Sequence, residues 1–238
     1  SADNYGFFSG SYGLINVFLL MLFFGGIILD KLGIRFTGVL STALMVVGVL
    51  IKYVAVSTDF HGAVFSLGSF SLPMSAAVAC LGFAIFGVGC EITGITISKT
   101  ITKWFTGHEL ALAMGVQVAL ARLGTAAALS ANLPMAKATS LGIQLPVIVG
   151  AALLIAGFLG FLVYNVMDRR LDASIAAVDG ESATEAAEDE SFKFSDLGKI
   201  FSNPGFWLIA LLCLLFYSGV FPFLKFATKL MISNYGVP

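Results

Sequence analysis

Two ionisable residues stand deep inside long apolar runs, Glu91 in the run 76–98 and Arg122 in the run 110–130. A charged side chain at such depth in a bilayer costs at least about 2.5–3.5 kcal/mol, so it faces a partner or a water-filled cavity. An arginine fork grips a carboxylate through two parallel hydrogen bonds, and a carboxylate accepts an ammonium. The chemistry on offer is binding of a small solute that carries both charges, with the two residues neutralising each other when the site is empty. A purely structural Glu91–Arg122 salt bridge is the competing use, and the two uses can coexist. Ala84, Gly87 and Gly94 flank Glu91 at helical spacing, and Gly115, Ala119, Thr125 and Ala126 flank Arg122, leaving room for a helix or a ligand.

A second group, Gly26, Asp30, Lys31, Gly33 and Arg35, lies between two apolar runs. The glycines permit close helix approach and a tight turn, while Asp30 and the cations can form a charge cluster at a helix end. A loop that only sets membrane orientation explains Lys31 and Arg35 but not Asp30.

Other polar residues are weaker candidates. Lys225 stands one turn before Lys229 near the outer end of the last run, so snorkelling competes with solute binding. Gln117, Tyr53 and Tyr217 offer hydrogen bonds to a solute backbone, and helix packing or interfacial anchoring explains each equally well. Lys52 reads first as a snorkelling side chain and second as cavity lining. Pro222 marks a helix bend. His61 and His108 have no metal-ligand spacing, and Cys80, Cys90 and Cys213 lie in apolar runs without a C-x-x-C, so neither a metal nor another cofactor is expected. The sequence contains no G-x-S-x-G, H-E-x-x-H or P-loop, which argues against an enzyme or an ATP-driven pump. A nucleic-acid platform would need a basic groove beside its aromatics, and none is legible.

Positioning such residues requires membrane helices. Hydrophobic residues make up 58% of the chain and charged ones 11%, with 22 Phe and a mean hydropathy of +0.95, too little polar surface for a soluble protein of this size. Six runs reach the roughly 20 apolar residues that cross a bilayer: 12–29, 37–57, 76–98, 110–130, 145–167 and 206–232. Alternating strand patterns are absent, which argues against a barrel. The fold class is therefore an all-α membrane protein, and the lipid bilayer is its first partner.

Lys31 and Arg35, then Lys99 and Lys103, then Arg169 and Arg170 follow the first, third and fifth runs, which places those loops in the cytoplasm. On this pattern residues 1–167 form a helical bundle, 168–203 an acidic, Ala-rich flexible linker, and 204–238 the first helix of a second bundle. Asn4-Tyr5-Gly6 recurs as Asn234-Tyr235-Gly236, as in repeated halves of a secondary transporter.

Gly26, Asp30, Lys31, Gly33 and Arg35 match the G-x-x-x-D-[RK]-x-G-x-[RK] signature between helices two and three of the major facilitator superfamily, and the chain resembles that family. Phe36 departs from the usual second basic residue. The resemblance implies a twelve-helix fold of which this chain carries helices two to seven. It also implies that the signature latches the cytoplasmic side in the outward-open state while two halves rock about a central site.

From Gly87 the sequence is similar to the lysosomal dipeptide uniporter branch of that superfamily and its prokaryotic relatives. The matching positions are Glu91, Trp104-Phe105, Gly107, Glu109, Gly115, Gln117, Ala121, Arg122 and Gly124, with Val220-Phe221-Pro222-Phe223 further on. Phe83 replaces the arginine that many family members carry four residues before the G-x-G of the fourth helix, which argues against a drug antiporter that depends on it.

This resemblance implies a dipeptide or similar zwitterion as the small-molecule substrate, Glu91 taking the ammonium and Arg122 the carboxylate. A proton-coupled carrier of another organic anion or drug is the alternative, and a transporter-fold receptor or scaffold is the alternative of another class. An accessory membrane protein accompanies eukaryotic relatives. Short loops suggest a prokaryotic inner membrane, and a lysosomal membrane applies if the source is eukaryotic.

Overall fold

The computed structural model describes residues 8–13, 16–17, 21–67, 70–105, 109–179, 198 and 201–235, without the side chains of 67, 70, 175–179, 221, 222 and 224–235. Two compact units divide the chain at Ser191 and Phe192. The first holds α1 (Met21–Ser57), a hairpin of β1 (Val64–Leu67) and β2 (Phe70–Pro73), α2 (Met74–Trp104), α3 (Leu110–Ala138) and α4 (Gln144–Asp179). The second holds α5 (Pro204–Tyr235). Among the described residues, four helices are long and apolar enough to cross a membrane: Met21–Ser57, Met74–Trp104, Leu110–Ala138 and Gln144–Ser174.

As one straight rod, the 37 residues of α1 would run about 55 Å, far more than a hydrocarbon core of about 30 Å. The rod is broken at Gly33, whose φ of 77° and ψ of 170° are open to glycine and strained for other residues. Packing shows that the break reverses the chain. Gly25 lies against Ile92 and Asp30 binds Lys99, so the first limb climbs α2 in the same direction. Beyond the break, Ser41 meets Thr93, Gly48 meets Gly82, and Lys52 reaches Phe83, so the second limb descends α2. The runs expected at 12–29 and 37–57 are thus two antiparallel limbs, and residues 8–13 and 16–17 are helical ahead of the first.

Membrane helices gain no hydrophobic stabilisation by leaving lipid, so close backbone approach and hydrogen bonds hold them together. The core of this unit obeys that rule. Gly25, Gly38, Gly48, Gly82, Gly87 and Gly89 are buried, as are Thr37, Ser41 and Thr96, while Leu112, Leu129, Leu153 and Leu159 face outward. At the tightest crossing, a Cβ on Gly48 would lie 2.6 Å from the Phe86 amide nitrogen and one on Gly82 would lie 2.7 Å from the Gly48 carbonyl oxygen. Gly48→Leu is expected to destabilise the protein by about 1–3 kcal/mol, since backbone must separate to admit the side chain. Gly94→Ala, where a Cβ meets nothing, serves as the control. Thermal melting in detergent with equal midpoints for the two variants would refute this account of the crossing.

Three features depart from the sequence reading. Gly26 is open, and the glycine of close approach is its neighbour Gly25, where a Cβ would lie 2.8 Å from Ile92 Cγ1. A short antiparallel hairpin pairs Val64 with Pro73 and Ser66 with Ser71, entered through a turn in which His61 has φ 49° and Gly62 φ 76°. Four-residue strands are too short to leave an alternating pattern in sequence. Helix α4 continues past Asp168 to Asp179, where the linker was expected to begin, because Asp168 and Asp172 are held one turn apart by cations from α1 and α2. Residues 180–197, like the Asn4-Tyr5-Gly6 motif and Gly236, lie outside the described residues.

Candidate functional site

Two polar constellations are built on α2. The first lies at its C-terminal end. Lys99 and Lys103 stand one turn apart near the end of α2, and Asp168 and Asp172 stand one turn apart on α4, so each pair projects from one face. Arg35, just after the Gly33 turn, fits between them. Its Nε donates to Asp168 Oδ2 at 2.6 Å, one Nη donates to the Asp168 carbonyl oxygen at 3.2 Å, and the same Nη pairs with Asp172. Lys103 Nζ lies 2.8 Å from Asp168 Oδ1 and 2.7 Å from Asp172 Oδ1. Tyr164 donates its hydroxyl to Asp168 Oδ1 at 3.0 Å and receives the Trp104 indole N–H at 3.2 Å. Asp168 is 1% exposed. Two cations balance two carboxylates here, the arrangement that makes charge burial tolerable.

Asp30 stands apart from this network and binds Lys99 Nζ at 2.6 Å. The signature residues therefore divide. Gly33 supplies the turn, Arg35 and Asp30 enter separate ion pairs, Lys31 is exposed, and Gly26 makes no close approach. Asp168, Asp172, Lys103, Tyr164 and Trp104 were not singled out from sequence as members of this cluster. Their signal was the matching one-turn spacing of 99/103 and 168/172, which topology alone did not connect.

The second constellation lies further into the membrane. The Tyr12 hydroxyl donates to Glu91 Oε1 at 2.9 Å, and the Tyr12 ring is tilted against Phe83 with centroids 5.3 Å apart. Phe83 stacks on Phe8 at 4.8 Å and lies near Phe86 at 6.3 Å. Gly87 makes this possible, because a Cβ there would lie 2.7 Å from the Tyr12 carbonyl oxygen. Lys52 Nζ sits 4.8 Å above the Phe83 ring and 5.5 Å from that of Phe86. Such cation–π contacts gain most when desolvated.

Glu91 and Arg122 do not meet. Among the described residues Glu91 has no ion pair, and Arg122 is exposed on α3, a helix with no buried residue. The structural salt bridge weighed from sequence is therefore absent. Gln117 is half-buried in a groove with Ile101, Phe105 and Val116, away from the Glu91 cluster's contacts. Tyr53 is half-buried beside Lys52 in sequence, and the side chain of Lys225 lies outside the described residues. Tyr12 escaped the sequence reading because a tyrosine at the start of an apolar run looks like an interfacial anchor.

The Major Facilitator Superfamily model matches residues 1–238. The chain is also similar to the lysosomal dipeptide transporter MFSD1 of zebrafish, Danio rerio, and of Homo sapiens, each at 26% identity over 92% of this chain and 44% of the relative. The mouse protein of the same name, from Mus musculus, is 27% identical over 87% of this chain and 41% of its own length. The chain thus spans less than half the length of these relatives. No solved structure matches it. A model match across the whole chain, on a bundle of membrane-length helices with the glycine turn at Gly33, identifies this multi-pass membrane protein as a member of the Major Facilitator Superfamily.

Proposed function

We propose that the complete protein is a transporter that moves a small zwitterionic solute, with dipeptides as the leading class, by alternating access. One observation carries the reading: Glu91 presents a carboxylate at membrane depth whose described partner is a neutral hydroxyl, Tyr12. A carboxylate so placed is an acceptor for a cation, and a substrate ammonium supplies one. The names of the curated relatives support the dipeptide class. For the carboxylate end the sequence offers Arg122, with Gln117, Tyr53 and Lys225 as further contacts. Residues 1–167 act as the first helical bundle, 168–203 join it to the second, and 204–238 begin the second. The ion pairs of Arg35 and Asp30 hold the cytoplasmic ends of the first bundle at fixed spacing, which is the part we give them in the latch. Non-enzymatic solute transfer is the whole of the activity proposed, in a prokaryotic plasma membrane or, for a eukaryotic source, a lysosomal one. An accessory membrane protein is no part of this reading.

The test is uptake of a dipeptide panel into proteoliposomes carrying the complete protein, with and without an imposed proton gradient. Saturable uptake, indifferent to the gradient and lost in Arg122→Ala, is expected. Uptake that follows the gradient would give Glu91 a coupling proton instead. Binding without flux would make the protein a receptor on a transporter fold.

A further inference from the structure

Asp168 and Asp172 turn inward from α4, and Arg35 and Lys103 occupy them both. The two cations that follow Asp168 in the chain are left over. Arg169 and Arg170 are exposed and, among the described residues, pair with no carboxylate. Both belong to the unbroken helix α4, so the helix rotation sets where they stand. That rotation is held by the Arg35–Asp168 pair and by Phe161, which fills the space at Gly38.

The same rotation turns an apolar strip outward. Leu159, Val163, Val166 and Met167 are each more than half exposed. Arg170 continues that strip at helical spacing, and Leu162 and Val166 lead in the same way to Arg169. Along the helix, Arg170 lies about 16 Å from Leu159, roughly half of a hydrocarbon core of about 30 Å. The strip therefore matches one leaflet in depth, with the arginines at the level of its headgroups.

A second surface at this end has the same makeup. Lys31 is exposed beside Asp30, whose carboxylate is taken by Lys99. Leu32 and Phe36, on the same turn, are each more than half exposed. Arg35 ties this turn to α4 at Asp168 and Asp172, so both surfaces border one ion-pair network. A solvated loop would account for the three cations but not for the exposed apolar side chains beside each of them.

We propose that this patch holds anionic phospholipid headgroups, with a phosphate between Arg169 and Arg170, an acyl chain along the Leu159–Met167 strip, and Lys31 adding to the positive field. Guanidinium forks bind phosphate oxygens in pairs, and clusters of Lys and Arg at a membrane surface attract anionic lipid. The patch uses no residue of the Glu91 constellation and does not rest on the transport reading.

The experiment offers phosphatidylglycerol and phosphatidylcholine in equal amounts to the complete protein in detergent, and reads the lipids bound to it by native mass spectrometry. A basic side chain near an anionic surface contributes roughly a fivefold preference, so wild type should favour phosphatidylglycerol strongly. The Arg169→Gln, Arg170→Gln double variant is expected to lower that preference roughly thirtyfold, and Lys31→Gln roughly fivefold. Changing both arginines to lysine should keep most of it. Lys137→Gln, which removes an exposed cation in the last turn of α3, should leave it unchanged. The preference is a ratio within one folded population, so it does not depend on how much protein folds. A wild type that binds both lipids equally, or a preference that survives the double glutamine variant, overturns the proposal. A loss in Lys137→Gln as large as that in Lys31→Gln overturns it too, because total charge and not this patch would then be the cause.

Discussion

Asp168→Ala is expected to lower the stability of the detergent-solubilised protein by about 3 kcal/mol, because it removes the one buried carboxylate to which Arg35 and Lys103 are both bound. Asp172 would remain, but it is the more exposed partner of both cations. Asp172→Ala is therefore expected to cost about 1 kcal/mol or less. The two aspartates differ in what surrounds them and not in their chemistry. Asp168 also accepts the Tyr164 hydroxyl, so its loss removes the acceptor of that phenol in the same step. A double-mutant cycle with Arg35→Gln should show coupling, since both residues belong to one network. Strict additivity of Arg35→Gln and Asp168→Ala would show that the cluster contributes nothing as a unit.

Glu91→Gln should reduce the catalytic efficiency of dipeptide uptake roughly a hundredfold, the cost of removing the charge from one side of a buried ionic contact. Glutamine preserves the shape and still offers an oxygen to the Tyr12 hydroxyl, so the helix contact survives and the proposed ammonium site does not. Tyr12→Phe isolates the other half of the interaction. It deletes the hydroxyl, keeps the ring on Phe83, and should lower uptake by about tenfold or less, the range of a single hydrogen bond. Unchanged uptake in Glu91→Gln, from protein shown to be folded and inserted, would remove Glu91 from the site and with it the observation on which the transport reading rests.

Sequence alone was sufficient for the membrane helices, though not for the hairpin or for the end of α4, because lipid allows few choices. An apolar run that crosses a bilayer must satisfy its own backbone, so run length translates directly into helices. Gly33 was legible for the same reason: a glycine between two runs with charges at either side marks a turn, and the structure shows its positive φ. The resemblance to the superfamily was readable in the signature from Gly26 to Arg35.

Partnership was not legible. Nothing along the chain says that Asp30 binds Lys99 while Arg35 crosses to α4, that Gly25 and not Gly26 touches the neighbouring helix, or that Glu91 meets Tyr12 and not Arg122. Those facts depend on how far each helix is rotated about its axis, and the apolar stripes here give little guidance because lipid faces and helix faces are both apolar. Small residues set the rotation instead. The Gly48–Gly82 crossing brings Lys52 onto Phe83, and Gly87 admits Tyr12 beside Glu91. The sequence by itself determined which segments are membrane helices and which residues carry charge; only the tertiary structure decided which charges meet, because backbone contact at glycines, invisible in hydropathy, sets the register between helices.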